Sequence, residues 1–415
     1  MLQGQFVHSD NQAVLGSKRN DDIEILRGVA IVFVFIEHLL AVWDLPRVHS
    51  FSSGYFSFWG GVDLFFAISG YVIAHSILRN LAALSGTAEK VKALVEFWIR
   101  RAWRLWPAAW FWLLVPFVAM MIFDPHYRGG EALRANCASV IGSVLNVTNI
   151  QVWRSKAGLG MQNEFWSQYW SLSLEEQFYL VAAPLLLFVS RRWVVALMIA
   201  LVVAQVFFAR VANSSDLSWF VRSDAFAWGV LIAILWNGNL DKALIEPTFL
   251  RKRHYAWLLL GVMLTAISAT QLLYSVPFDV SIIALASGAL VFVASFDKGY
   301  LGVGGVLGRV MSWVGDRSYA IYLVHGVVIG VGLRVGPLAH LDRQNVADLC
   351  VITVALIVVT LILSELSYRF IEVPARLHGR KLAQAYHATC DGAAARATDA
   401  YAGCQYSPSG EQVSG

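Results

Sequence analysis

Arg27 and His38 bracket the stretch RGVAIVFVFIEH, in which Glu37 is the only other charged or titratable residue. A guanidinium grips a carboxylate or phosphate through a planar fork of donors. An imidazole gives and takes a proton close to neutral pH. On a helix turning about 100° per residue, eleven steps come within about 20° of three full turns and rise about 16 Å. The two groups therefore lie on one face at two depths, separated by around half the ~30 Å hydrocarbon thickness of a bilayer. That placement suggests a shared cavity.

Other side chains capable of chemistry sit in similarly apolar surroundings. In RRAWRLWP, Arg101 and Arg104 are three apart and share a helical face. A fixed pair of guanidiniums suits a phosphate or pyrophosphate, although a positive anchor with interfacial tryptophans accounts for the same letters. GGVDLFFAISGY puts Asp63 near the outer end of its segment and Ser69-Gly70 deeper. WSLSLEEQFYL contributes Ser171 and the run Glu175, Glu176, Gln177, of which at most two can face one cavity. VRSDAFAWG brings Arg222 and Asp224, GDRSYAIYLVHG brings Tyr322 and His325, and SELSYRFIEVP brings Glu365, Arg369 and Glu372. An ionisable residue in a span is costly, so each needs a reason. For Arg222, Arg369 and Glu372 snorkelling to the interface is the plain alternative, and for His325 it is a neutral packing role. His38 has the weakest such alternative.

The elements that must position these residues are membrane helices. Of the 415 residues 57% are hydrophobic and 14% charged, and mean hydropathy is +0.58. Soluble domains carry about a quarter charged residues, so this chain belongs in a bilayer. The 16 tryptophans fit rings at headgroup level. A net charge of +4 gives no reason to expect nucleic acid. Cys137, Cys350, Cys390 and Cys404 form no metal or disulfide spacing, so no metal site is expected.

Apolar segments of spanning length recur ten times, at 23–43, 58–78, 105–123, 169–189, 193–210, 222–237, 255–273, 277–296, 314–334 and 346–368. Pro46, Pro125 and Pro337 mark loops after the first, third and ninth. Every second loop is basic, through Arg79 to Arg104, Arg191 and Arg192, Lys242 to Arg253, and Arg376 to Lys381. The positive-inside rule then puts both termini in the cytoplasm. The expected organisation is an all-α polytopic protein: a cytoplasmic segment 1–22 without a removable signal peptide, a transmembrane domain 23–376, and a disordered cytoplasmic tail 377–415 rich in Ala, Gly and Ser.

In this order the motifs Arg27-x10-His38, GGVDLFFAISGY, RRAWRLWP, WSLSLEEQFY, SYAIYLVH and SYRFIEVP resemble those of membrane-bound acyltransferase family 3, over residues 20 to 376. That family comprises O-acyltransferases of bacterial surface and exported glycans, with ten helices and cytoplasmic termini. The resemblance implies that Arg27 and His38 are the essential pair and that Arg101 and Arg104 bind the acyl-CoA donor. It implies that Glu175 and Asp63 are the acidic positions of the fourth and second helices. Asp63, Ser171, Arg222, Tyr322 and His325 are expected on the acceptor side or as structural polar groups. Acyl-CoA enters as a substrate, with acetyl as the default acyl group and succinyl open, and no bound cofactor is implied. No hydrolase-like domain follows the tenth helix, so the chain acts alone or recruits a partner, such as a polysaccharide-assembly protein.

Acyl transfer to an alcohol needs a base, stabilisation for the oxyanion and a held donor. On this reading the donor's phosphates bind Arg101 and Arg104 at the cytoplasmic face of the bacterial inner membrane, and its pantetheine arm reaches toward His38. A glycan or lipid-linked saccharide enters from the outer half, where Asp63 and Glu175 are expected. Direct transfer and an acyl-histidine intermediate both remain open, since each needs the same imidazole. Exopolysaccharide, lipopolysaccharide O-antigen, periplasmic glucan and lipo-oligosaccharide are all open as acceptors. The competing class is a membrane carrier or flippase for a glycan or lipid precursor, disfavoured by the absence of internal repeats.

Overall fold

Nine of the ten apolar segments each fall on one helix in the computed structural model, and the ninth is divided between two. The structure describes residues 20–40, 42–43, 56–123, 129–160, 168–208, 210, 216–238, 242–268, 278–301, 305–338 and 345–405, with side chains of 242, 334–338 and 392–405 excepted. The helices, numbered along the chain, are α1 (Asp21–Leu40), α2 (Gly61–Leu81), α3 (Thr87–Phe123), α4 (Gly130–Val144), α5 (Thr148–Lys156), α6 (Tyr169–Phe188), α7 (Arg191–Val206) and α8 (Leu217–Phe220). They continue as α9 (Asp224–Trp236), α10 (Lys242–Ile245), α11 (Arg253–Ser268), α12 (Asp279–Ala294), α13 (Gly305–Asp316), α14 (Ser318–Leu338), α15 (Val346–Ser367) and α16 (Val373–Gln405), with a π-turn over Tyr368–Glu372 joining the last two.

The segments Gly61–Leu81, Thr87–Phe123, Leu217–Trp236 and Val346–Asp391 are each long and apolar enough to cross a bilayer, and Asp279–Ala294 and Ser318–Leu333 are shorter apolar helices. The outer faces carry many large apolar side chains. On α11, Trp257, Leu258 and Val262 are exposed, and on α15 Val351, Val354, Val358 and Ile362 are exposed. Such surfaces fit a hydrocarbon solvent and not water. The chain is thus an all-helical, multi-pass membrane protein.

Lipid is as apolar as leucine, so helices associate here through close packing and small residues. At the centre, α2 packs most extensively on α9 and also on α1, α6 and α12. Gly70 and Gly229 make the α2–α9 approach possible. A Cβ on Gly229 would lie 2.2 Å from the Ala67 carbonyl oxygen, and one on Gly70 would lie 2.3 Å from that of Phe226. Beside this crossing Phe66, Phe226 and Phe178 form a stack with 4.3 Å between successive ring centroids.

Several expectations need correction. The stretch before residue 105 is not a loop from Thr87 onward but the first half of α3, whose 37 residues rise about 55 Å. Pro337 lies in the last turn of α14 instead of a loop, while Pro46 and Pro125 fall outside the described residues. The ninth segment is cut at Arg317 into α13 and α14. The expected disordered tail is helical through Gln405. It packs along α3, where the Trp103 ring lies against that of His378 with centroids 4.4 Å apart and planes tilted by 56°, and a Cβ on Gly379 would meet the Trp103 side chain at 2.4 Å. Lys92 pairs with Asp391, and His387 Nδ1 lies 2.6 Å from Glu96 Oε1. Alanine is the best helix former, and small residues let this helix lie close to a tryptophan.

Candidate active site

A cavity opens where α1, α2, α3, α6 and α14 meet, with Arg27, Arg101, Arg104, Glu175, Tyr179 and Tyr322 among its walls. Arg27 is held within its own helix and Arg101 by a neighbouring one. Arg27 Nη1 donates to Glu24 Oε1 at 3.0 Å, one turn back on α1. The Arg101 guanidinium lies 4.1 Å from the Tyr179 ring centroid, and its Nε is buried without a hydrogen-bond partner. Glu175 accepts from Ser69 Oγ at 2.5 Å and from the Tyr179 hydroxyl. The walls carry three guanidiniums and the carboxylate of Glu175, and with Arg27 paired to Glu24 the guanidiniums of Arg101 and Arg104 remain in excess over Glu175. Such an excess, with one donor of Arg101 left unused, makes a receptor for a compact dianion such as a phosphate.

The α14 helix carries the cavity toward a pair of histidines. Ser318, Tyr319 and Tyr322 line the cavity. His325 follows Tyr322 by three residues, about 4.5 Å along the axis, with ring centroids 5.5 Å apart. The His325 ring stands edge-on to that of His38, centroids 4.9 Å apart. His38 Nδ1 is 2.8 Å from the Val34 carbonyl oxygen, and His325 Nδ1 is 3.0 Å from that of Ile321. A carbonyl only accepts, so both Nδ1 atoms carry a proton, and in each neutral ring the Nε2 lone pair is available. His325 is fully buried, with its Nε2 unpartnered, whereas His38 is exposed. The pair therefore offers a proton acceptor or nucleophile on His38, backed by a second imidazole.

At the starts of α2 and α9 lies a sealed ionic cluster. Arg222 Nε and Nη2 donate to the two oxygens of Asp63 at 3.0 and 3.1 Å, and both side chains are 0% exposed. The guanidinium lies 3.8 Å from the Trp219 ring centroid and 4.8 Å from that of Trp170. Arg210 pairs with Asp224 at 2.8 Å. This burial removes the snorkelling explanation for Arg222. The pair fixes α2 to the chain entering α9 and has no surface from which to meet a substrate.

The structure brings Arg27, Arg101, Arg104, Glu175 and Tyr322 into one cavity, with Ser171 hydrogen-bonded to the Tyr322 hydroxyl behind it. It joins His38 to His325 and Asp63 to Arg222. Arg27 and His38 share a helix face but not a single set of neighbours, since Arg27 lies among the other arginines and His38 against His325. Glu175 lies with the arginines and not beside Asp63. Glu37 turns from His38 to accept from Ser57 Oγ at 2.9 Å and Phe58 N at 2.6 Å. Tyr179 went unnoticed in the sequence, although its spacing of four from Glu175 puts both on one face. Ser318, Tyr319 and Arg210 carried no such signal. Among the described residues no group of three His, Cys, Asp or Glu side chains could hold a metal ion.

Sequence comparison bears on what this arrangement does. The peptidoglycan O-acetyltransferase OatA of Listeria monocytogenes is 26% identical over 389 residues, covering 86% of this chain and 56% of the relative. The O-acetyltransferase OatA of Staphylococcus aureus is 26% identical over 392 residues, covering 86% and 57%. The chain therefore spans little more than half the length of these relatives. No solved structure matches it. The sequence model of the acyltransferase 3 family, an acyltransferase domain, matches residues 20–365, the stretch that contains both the arginine cavity and the histidine pair. With most of its length so matched, the chain belongs to the acyltransferase 3 family.

Proposed function

We propose that this protein is an O-acyltransferase that moves an acyl group, acetyl in the first instance, from acyl-CoA to a hydroxyl of an exported or surface glycan. The observation that carries this reading is the arginine cavity, with its three guanidiniums and one carboxylate, joined along α14 to two histidines with available Nε2 atoms. The relatives' names point to a glycan acceptor, peptidoglycan in one case. In this reading the ten helices on the apolar segments all cross the bacterial inner membrane, both termini are cytoplasmic, and the cavity opens to the cytoplasm. The loop cations support that orientation.

Arg27, Arg101 and Arg104 hold the donor's phosphates, and Glu175, fixed by Ser69 and Tyr179, keeps Arg101 in place over the Tyr179 ring. The thioester end lies along Tyr322 toward His38. The Nε2 of His38 takes the proton of the saccharide hydroxyl as its oxygen attacks the thioester carbonyl. The carbon–sulfur bond then breaks, and the thiolate leaves with the proton that the imidazole held. Glu37, already engaged by Ser57 and Phe58, takes no part. An acyl-histidine route places the same demand on Nε2, and trapping a labelled acyl group on the protein with no acceptor present separates the two.

The test is donor turnover by the purified protein. Acetyl-CoA should release free thiol in an acceptor-dependent manner. Arg101→Gln and Arg104→Gln should each raise KM for acetyl-CoA about tenfold or more, the loss of a charged hydrogen bond being ~1.5–3 kcal/mol. Transport of a saccharide with no thiol released would instead support a carrier.

A further inference from the structure

A second cavity, of about 370 Å³, lies between α10, α11 and the turn that follows α12, and shares no residue with the arginine cavity. Its walls include Glu246, Arg251, Arg253, Trp257, Lys298 and Tyr300. Glu246 is already engaged, accepting from Arg251 Nη2 at 3.1 Å and from the Tyr300 hydroxyl. That pairing neutralises Arg251 and leaves Arg253 and Lys298 as the excess charge of the cavity. Arg253 is also the first residue of α11, so the positive end of a 16-residue helix dipole adds to it.

The surroundings of this charge are those of a bilayer edge. Leu250 and Leu260 give the cavity an apolar wall. From there α11 continues with Trp257, Leu258 and Val262 exposed by 47%, 64% and 51%. A soluble anion has no use for such a flank, whereas a phospholipid lays its acyl chains along it with the phosphate at the cations. Basic pockets between membrane helices bind anionic headgroups in this way.

We infer that this cavity is a binding site for the phosphate of an anionic glycerophospholipid, with Arg253 and Lys298 as its ligands and the exposed face of α11 as the track for its chains. The site is tied to the helix that carries Arg27 and His38. Gly299 N and Leu301 N donate to Asp22 at 2.9 and 3.3 Å, and Asn20 Nδ2 donates to the Ala294 carbonyl oxygen at 2.9 Å. A lipid held at Lys298 therefore braces the turn on which the start of α1 rests.

The experiment is native mass spectrometry of the delipidated full-length protein, titrated with phosphatidylglycerol or phosphatidylcholine. The wild type should retain one phosphatidylglycerol per chain in preference to phosphatidylcholine. Removing one cation near a membrane surface should weaken retention about fivefold, so Arg253→Gln/Lys298→Gln should weaken it about twenty-five-fold. Both side chains are exposed, so the variants lose no packing, and each single substitution should give the fivefold step. Equal retention of the two lipids, or unchanged affinity in the double variant, overturns the proposal. Displacement of the lipid by millimolar inorganic phosphate overturns its lipid character and leaves a site for free phosphate.

Discussion

Arg222→Met cuts the bidentate pair with Asp63 and leaves that carboxylate at 0% exposure among Trp59, Trp170 and Trp219. Removing one partner of a buried ion pair typically costs about 3–5 kcal/mol, because the remaining charge is stranded. That is about 10²–10⁴-fold in the folding equilibrium, against a typical total stability of ~5–15 kcal/mol. Replacing both partners by apolar groups is a different perturbation, often neutral or stabilising. Asp63→Leu/Arg222→Met should therefore recover most of what the single variant loses, since Arg210 and Asp224 still pair with each other. The assay is a thermal melt in detergent followed by tryptophan fluorescence, to which the three rings around the guanidinium contribute, with membrane abundance as a check. A melt for Arg222→Met that overlays the wild type, or a double variant as unstable as the single one, refutes this reasoning. Acyl transfer measured on the double variant adds a second answer. A sealed pair with no substrate contact predicts that activity returns with stability, and its loss at normal stability would put Asp63 in the acceptor path.

Other expected outcomes concern the histidines, the helix crossing and the C-terminal helix. His38→Ala should lower transfer by about 10²–10⁴-fold at matched membrane levels, while acetyl-CoA binding persists; activity near wild type removes the imidazole from the mechanism. Gly229→Ala should destabilise by about 1–3 kcal/mol, because the new methyl meets α2 backbone. Gly261→Ala, with nothing within 4 Å, should gain up to about 1 kcal/mol in the same melt. Lys92, through its hydrogen bond and charge, holds the Asp391 carboxyl below the ordinary carboxylate range. That contribution to docking of α16 is complete above the unfolded value near 4 and is lost as pH falls through the lower folded value. Protection along α16, taken relative to the intrinsic exchange rate at each pH, should accordingly hold at pH 5 and fall only under stronger acid.

The elements were largely legible because a helix in lipid needs length and apolarity, and both can be counted. The shared face of Arg27 and His38 followed from helical geometry, as did that of Arg101 and Arg104. What periodicity cannot supply is the neighbour across an interface. Nothing in GGVDLFFAISGY announces that Asp63 is saturated by an arginine 159 positions later, or that Glu175 faces Arg101 across the α3–α6 contact. The tail was misread for a related reason. Its small residues cannot build a core alone, but they fit against Trp103 of a helix that is already in place.

The docking of α16 on α3 has a consequence for biosynthesis. Lys92 and Asp391 are 299 residues apart, and ribosomes add about 5–20 residues each second. The first half of α3, which leads into Arg101 and Arg104, is therefore made about 15–60 s before the helix that covers it. Throughout that interval Trp103 and its neighbours are open to chaperones and proteases at the membrane surface. A nascent chain arrested between residues 123 and 373 therefore holds the whole of α3 without the helix that covers it.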